Sequence, residues 1–256
     1  MLKKNFIKEK LSKNIPVIGT WVVVPSIINI DIICSSGIDF IIIDREHGPI
    51  TFETAQRMAI ACESRNVSPL MRVGDIEKSF IQNALDIGVH GIQIPNINSK
   101  KDALEVINYS KYPPIGDRGF SPFTRAGDYS NKNSKKLLND ANKNTIVVLN
   151  IEGKNALDNI DEIISVNNID IIFVGLFDLS KELQIPGDIE NPKIIDALKF
   201  ITNKCKEKGI YVGTIATNLK QIDRFLEIGL KYIVYGVDCN IIKNSYEEIV
   251  NHFNKL

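Results

Sequence analysis

Cysteine is sparse in this sequence, and so is any pattern that would put cysteine to use. Cys34, Cys62, Cys205 and Cys239 are scattered over 256 residues without a C-x-x-C pair. That disfavours a disulfide framework or a structural zinc site, and it fits reduced thiols in a cytoplasmic protein. No apolar run approaches the roughly 20 residues of a membrane span. The first ten residues show no apolar core of an export signal. Neither charge sign dominates: Lys+Arg and Asp+Glu both number 31, so no global field favours nucleic acid or a membrane surface. No G-x-G-x-x-G follows the first strand-like segment, where a dinucleotide site would need it.

What is present is rhythm. Short, nearly continuous apolar stretches at 17–24, 40–44, 68–73, 91–95, 145–151, 169–174, 211–215 and 232–235 read as strands buried on both faces. Between them lie helical segments: 26–35 with Ser26 as N-cap, 51–64, 76–87 closed by Gly88, 99–110 capped by Ser99, 155–166, 192–208 and 219–226. A helix over 2–14 opens the chain and one over 241–256 closes it. With 44% hydrophobic residues and no linker-like composition shift, the pattern predicts a single (β/α)8 TIM barrel over 1–256. An open, doubly wound sheet is the runner-up. The rhythm breaks only at 111–135, which is rich in Gly, Pro, Ser, Tyr and Arg. A segment that long and aromatic is expected to be an ordered active-site loop.

In a barrel the C-terminal strand ends share one mouth, where active sites sit. The polar residues at those ends are Asp44, Glu46 and His47, then Arg72, then Asn150 and Glu152, then Asp178, then Asp238. The long loop adds Arg118 and Arg125. Glu152 and Asp178 suit a hard divalent ion, although Asp178 could instead cap the following helix. Arg72 is expected to bind a substrate carboxylate or to pair with Asp44 or Glu46. His47 beside Asp44 fits a general base oriented by a carboxylate. His90 reads as structural, and His252 as solvent-facing or at a subunit contact. No lysine stands at a strand end, which disfavours Schiff-base chemistry.

Taken in order, Gly19-Thr-Trp21, Ile43-Asp-Arg-Glu-His-Gly-Pro49, Arg72, Leu85-Asp-Ile-Gly88, Ile94-Pro95, Arg118-Gly119, Ile151-Glu152, Gly175-x-x-Asp178-Leu-Ser180 and Gly236-x-Asp238 resemble the HpcH/HpaI aldolase family. These are the class II pyruvate aldolases of the phosphoenolpyruvate/pyruvate barrel superfamily, and the likeness runs from Gly19 to Asp238. It implies reversible cleavage of a 4-hydroxy-2-oxo acid, such as 4-hydroxy-2-oxoheptanedioate or a 2-dehydro-3-deoxy sugar acid, into pyruvate and an aldehyde. It implies Mg2+, Mn2+ or Co2+ on Glu152 and Asp178, with Arg72 on the oxo-acid end. His47 paired with Asp44 would take the hydroxyl proton. Asn150 would contact substrate beside the metal, where relatives usually carry Gln. The backbone around Phe177 and Asp178 would bind the carboxylate, with Glu46, Asp86 and Arg118 in support. It also implies a homo-oligomer, a hexamer or trimer of dimers, with the last helix on a neighbour and Asp86 near a subunit contact. Leu176 and Phe177 replace a commoner Pro-x pair, Val237 replaces a commoner Ser, and Phe120-Ser-Pro-Phe-Thr is unusual, so the acceptor side is expected to differ. Two alternatives stay open: an enolate-condensing, citrate-synthase-like enzyme of the same superfamily, and a non-catalytic barrel scaffold.

Overall fold

Successive side chains along a strand face opposite sides of the sheet, and this chain uses that alternation eight times. The computed structural model describes residues 5–255, so positions 2–4 of the expected first helix lie outside the described residues. The elements run α1 (Phe6–Ser12), β1 (Val17–Val22), α2 (Ile27–Ser35), β2 (Phe40–Asp44), α3 (Phe52–Ser64), β3 (Ser68–Arg72), α4 (Lys78–Asp86), β4 (Gly91–Ile94), α5 (Lys100–Ser110), α6 (Ser134–Asn144) and β5 (Ile146–Ile151). They continue with α7 (Lys154–Asp158), α8 (Ile160–Ile163), β6 (Ile171–Val174), α9 (Leu176–Glu182), α10 (Pro192–Glu207), β7 (Tyr211–Ala216), α11 (Leu219–Ile228), β8 (Tyr232–Val237) and α12 (Asp238–Phe253). The eight strands close into one barrel in sequence order, with every neighbouring pair parallel, from β1 on β2 through to β8 on β1. The expected (β/α)8 barrel is therefore the observed fold.

Alternation sorts the apolar residues into two cores. Phe40, Ile42, Leu70, Ile146, Val148, Ile171, Phe173, Tyr232 and Val234 fill the barrel interior. Their strand neighbours Ile41, Ile43, Met71, Val147, Leu149 and Ile172 face the helices. Helix starts are local: the hydroxyls of Ser26, Thr51 and Ser99 accept from the backbone N–H three residues on, as good N-caps do.

One expectation needs correction here. Residues 111–133 and the unanticipated α6 do not line the catalytic mouth of their own barrel. They are pinned at the opposite, N-terminal pole: Arg118 Nη2 donates to Asp86 Oδ1 at 2.7 Å, Arg125 pairs with Glu63 and donates to the carbonyls of Ile87 and Gly88, and His90 meets Glu63 at 3.0 Å. Lys111 closes the segment by donating to the carbonyls of Asn142 and Thr145 at 3.1 and 2.7 Å, and burial pushes its pKa down to about 8. Helices carry the chain back to that pole before each new strand, so a loop after α5 lands there by topology. Beyond Asp238 the residues of α12 are exposed, so this helix does not lie along its own barrel. Asp238, at the end of β8, is a brace. Its carboxylate is buried and accepts from the backbone N–H of Val23 and Val24 at 3.0 and 3.2 Å and from Asn29 Nδ2 at 2.7 Å, which locks the β1–α2 turn to the end of β8. Asp238→Ala strips these donors of their acceptor and is expected to cost about 2–4 kcal/mol, read as a lower midpoint in denaturant unfolding.

Candidate active site

The inward-facing stripes of β2, β3 and β5 end in polar residues. Phe40 and Ile42 lead to Asp44, Leu70 leads to Arg72, and Ile146 and Val148 lead to Asn150 and then Glu152. Asp44 and Arg72 are register partners on β2 and β3, so the folding of two adjacent strands brings them together. Arg72 Nε and Nη2 donate to the two Asp44 oxygens at 2.9 and 2.6 Å. The guanidinium also lies 4.1 Å over the Trp21 ring, and the two side chains are only 13% and 3% exposed. A desolvated bidentate pair of this kind fixes the arginine plane.

This settles Asp44 differently from the sequence expectation. Its carboxylate is not paired with the His47 ring. Besides Arg72 it accepts only the backbone N–H groups of Glu46 and His47, at 3.0 and 3.3 Å, and so shapes the turn. The His47 side chain is 72% exposed, with Nε2 3.9 Å from Glu46 Oε2. Glu46, not Asp44, is thus the carboxylate beside the imidazole. Glu46 Oε2 also lies 2.9 Å from Arg72 Nη1, but without hydrogen-bond alignment, and it is buried with no aligned donor. Burial raises the Glu46 pKa; Arg72 and His47 oppose the shift, and the charges of Glu152 and Asp44 reinforce it.

Across the mouth, Glu152 and Asp178 line one cleft of about 320 Å³ with Asn96, Gly153, Lys154 and Lys181. Glu152 Oε1 accepts from Asn150 Nδ2 at 2.7 Å and Oε2 from the Asn96 backbone N–H at 3.2 Å. Gly175 makes room for it: a Cβ there would stand 2.7 Å from Glu152 Cγ. Asp178 sits in the first turn of α9, yet the capping role open to it is not taken, since Gly175 is the N-cap and no side chain bonds the cap. Its exposed carboxylate is left facing the cleft. Among the described residues no group of three or more His, Cys, Asp or Glu side chains forms a metal cage. The donor set is two hard carboxylates, which suits an ion that keeps several water or substrate oxygens.

Three more placements differ from the sequence reading. Asn150 has no exposed surface and both ends of its amide are engaged, with Oδ1 accepting from Gln93 Nε2 at 2.8 Å. It supports Glu152 from below and is not open to substrate. Arg118 and Asp86 pair at the N-terminal pole, away from Glu152. Gln93 is absent from the sequence reading, although it is an amide at an inward-facing position of an otherwise apolar strand. Phe177 is 49% exposed beside Asp178 at the rim.

The family model for HpcH/HpaI aldolase/citrate lyase matches residues 18–245. The chain belongs to this family. It is thereby a carbon–carbon lyase of the aldolase type. A 5-keto-4-deoxy-D-glucarate aldolase of Escherichia coli is 29% identical over 93% of this chain and 92% of its own length. The HpcH/HpaI aldolase of Desulfitobacterium hafniense superposes with a TM-score of 0.93 at 26% identity, covering 98% and 97% of the two chains. The citrate synthase SbnG shares the fold, with a TM-score of 0.89 at 24% identity over 98% of each chain.

The Glu46 environment gives a pH test. A carboxyl with a raised folded-state pKa binds its proton more tightly when folded, so its stabilising contribution is full at low pH and is lost as pH rises from the ordinary value of 4.5 through the raised one. Thermal melts of the wild type and Glu46→Gln between about pH 4 and about pH 7 should show their difference moving against the wild type as pH rises. A difference independent of pH would contradict that environment.

Proposed function

We propose that this chain is a divalent-metal-dependent aldolase that cleaves a 4-hydroxy-2-oxo acid into pyruvate and an aldehyde. The observation that carries the reading is the cleft lined by the two hard carboxylates Glu152 and Asp178, with Glu46 within electrostatic reach of Glu152 and holding the buried Arg72 at its other side. Glu152 and Asp178 would hold Mg2+, Mn2+ or Co2+, whose Lewis acidity would stabilise the enolate charge as the bond breaks. Arg72, held by Asp44, offers its Nη1 to the oxo-acid end, since Glu46 Oε2 is close to it but misaligned. His47 takes the proton from the C4 hydroxyl, with Glu46 beside it to support the imidazolium. The C3–C4 bond then breaks, the aldehyde leaves, and C3 regains a proton to give pyruvate. Phe177 at the rim narrows the acceptor side. The names of the relatives favour a 2-dehydro-3-deoxy sugar acid such as 5-keto-4-deoxy-D-glucarate.

Pyruvate release from such acids is expected with Mg2+, Mn2+ or Co2+ and not in EDTA. Glu152→Ala should lower kcat/KM by more than about 100-fold. EDTA-insensitive turnover would sink the reading, and condensation of oxaloacetate with acetyl-CoA as the faster reaction would replace it with a citrate-synthase-like one.

We further infer self-association through α12. Its Tyr246, Ile249, Val250 and Phe253 are each more than half exposed, and an apolar cleft of about 550 Å³ opens between α2, α11 and the start of α12, lined by Ile32, Ile33, Leu219, Ile222 and Ile242. The apolar side of another copy's α12 is the natural occupant, within a hexamer or trimer of dimers. Analytical ultracentrifugation should show Tyr246→Glu with Phe253→Glu sedimenting as a smaller species than the wild type.

A further inference from the structure

We propose that Gln93 is a positioning residue for the reaction, orienting Glu152 through Asn150, with Tyr232 fixing Gln93 from the centre of the barrel. The inference rests on the reading of Glu152 as a working carboxylate of the cleft. A line of side chains runs up the barrel axis. Tyr232 hydroxyl donates to Gln93 Oε1 at 3.4 Å, Gln93 Nε2 donates to Asn150 Oδ1 at 2.8 Å, and Asn150 Nδ2 donates to Glu152 Oε1 at 2.7 Å. Tyr232, Gln93 and Asn150 have no exposed surface.

The direction of this line is forced. An ionised carboxylate can only accept, so Glu152 must face the NH2 end of Asn150. The carbonyl end of Asn150 then needs a donor, and in this interior only the amide of Gln93 supplies one. Gln93 is left with its carbonyl oxygen toward Tyr232, whose hydroxyl has a proton to give, since burial pushes the phenol pKa well up. Tyr232 cannot drift, because its ring stacks on Phe40 at 4.3 Å and meets the edge of Phe173 at 6.3 Å. A Cβ at Gly213 would press on the same ring.

Burying an amide where leucine would pack is costly unless its hydrogen bonds are made. The return is at Glu152: one N–H from Asn150 and one from the Asn96 backbone occupy one site on each oxygen, and the remaining lone pairs stay turned to the cleft. A donor-free side chain at 93 leaves the buried Asn150 carbonyl without a partner and its amide held at the Glu152 end only. Such outer support of a metal-binding side chain is worth about 10–100-fold in metal affinity or activity.

The test is Gln93→Met, which keeps the volume and removes the donor. In metal-free protein, the Asn150 side-chain NH2 resonances should lose their protection from exchange. Titration with Mn2+ alone should show affinity lowered about tenfold, and kcat should fall while KM for the 2-oxo acid changes little. Tyr232→Phe, which deletes only one oxygen, should move the same readouts in the same direction by about threefold, its bond being the longest of the three. It carries the test should Gln93→Met fail to fold. Unchanged Asn150 protection and unchanged Mn2+ affinity would overturn the proposal and make Gln93 a filler of space. Glu152→Gln separates the two readings. If it weakens Mn2+ binding while Gln93→Met does not, the positioning role falls and the cleft stands. If it leaves Mn2+ binding intact, the cleft reading falls, and the role of Gln93 toward it falls with it.

Discussion

Eight parallel strands closed into a ring leave no choice about where alternate side chains go, and that constraint governs this molecule. Inward positions share one small volume. The lower layers are filled by Phe40, Ile42, Leu70, Ile146, Val148, Phe173 and Tyr232. Each polar group that ends an inward stripe therefore rests on an apolar floor and must find partners among its neighbours. Arg72 and Asp44 satisfy one another across β2 and β3, while Gln93, Asn150 and Glu152 do so across β4 and β5. The outward positions of the same strands hold the helices on and do no chemistry.

Magnitudes decide which of these partnerships governs the site. An exposed i,i+4 pair such as Lys13–Glu9 contributes about 0.3–0.5 kcal/mol. Breaking a buried pair such as Arg72–Asp44 costs about 3–5 kcal/mol, because one charge is left stranded. Arg72 is therefore held by Asp44 through Nε and Nη2, which balances its charge and leaves Nη1 outside that pair. Glu46, Glu152 and Asp178 remain as net negative charge around the mouth. Lys154 is drawn to Asp158 and offers little relief. A mouth with this imbalance attracts a cation.

Much of this could be read from residue order alone, because barrel strands are apolar runs of the right length and their ends are easily marked. Asp44, Arg72, Glu152 and Asp178 stand at or just beyond such ends. What could not be read were pairings that depend on rotamers and on depth. Three positions apart in sequence, Asp44 and His47 look like a dyad, yet Asp44 points inward with the stripe and His47 turns out into solvent. The loop at 111–133 has active-site composition, but its position follows from connectivity: a segment after α5 returns to the pole where strands begin. Asn150 and Gln93 lie 57 residues apart, a distance no local pattern bridges. The parity rule would have flagged Gln93 as an inward amide, but only once the strand registers were known.

The buried line beneath Glu152 also bears on how one barrel carries different substrates. Here the side chain beside Glu152 is Asn150, and a second amide, Gln93 from β4, holds it from below. Support for Glu152 thus comes from the barrel axis, while Phe177 stands exposed at the rim. The two sets share few atoms. Residues at the rim can change without moving Glu152, and the interior amides can change without reshaping the rim. A 5-keto-4-deoxy-D-glucarate aldolase at 29% identity and a citrate synthase of the same fold at 24% fit that division: function lives in the site grafted on the fold. The position of the carboxylates here is a property of the barrel, and the choice of aldehyde is a property of its edge.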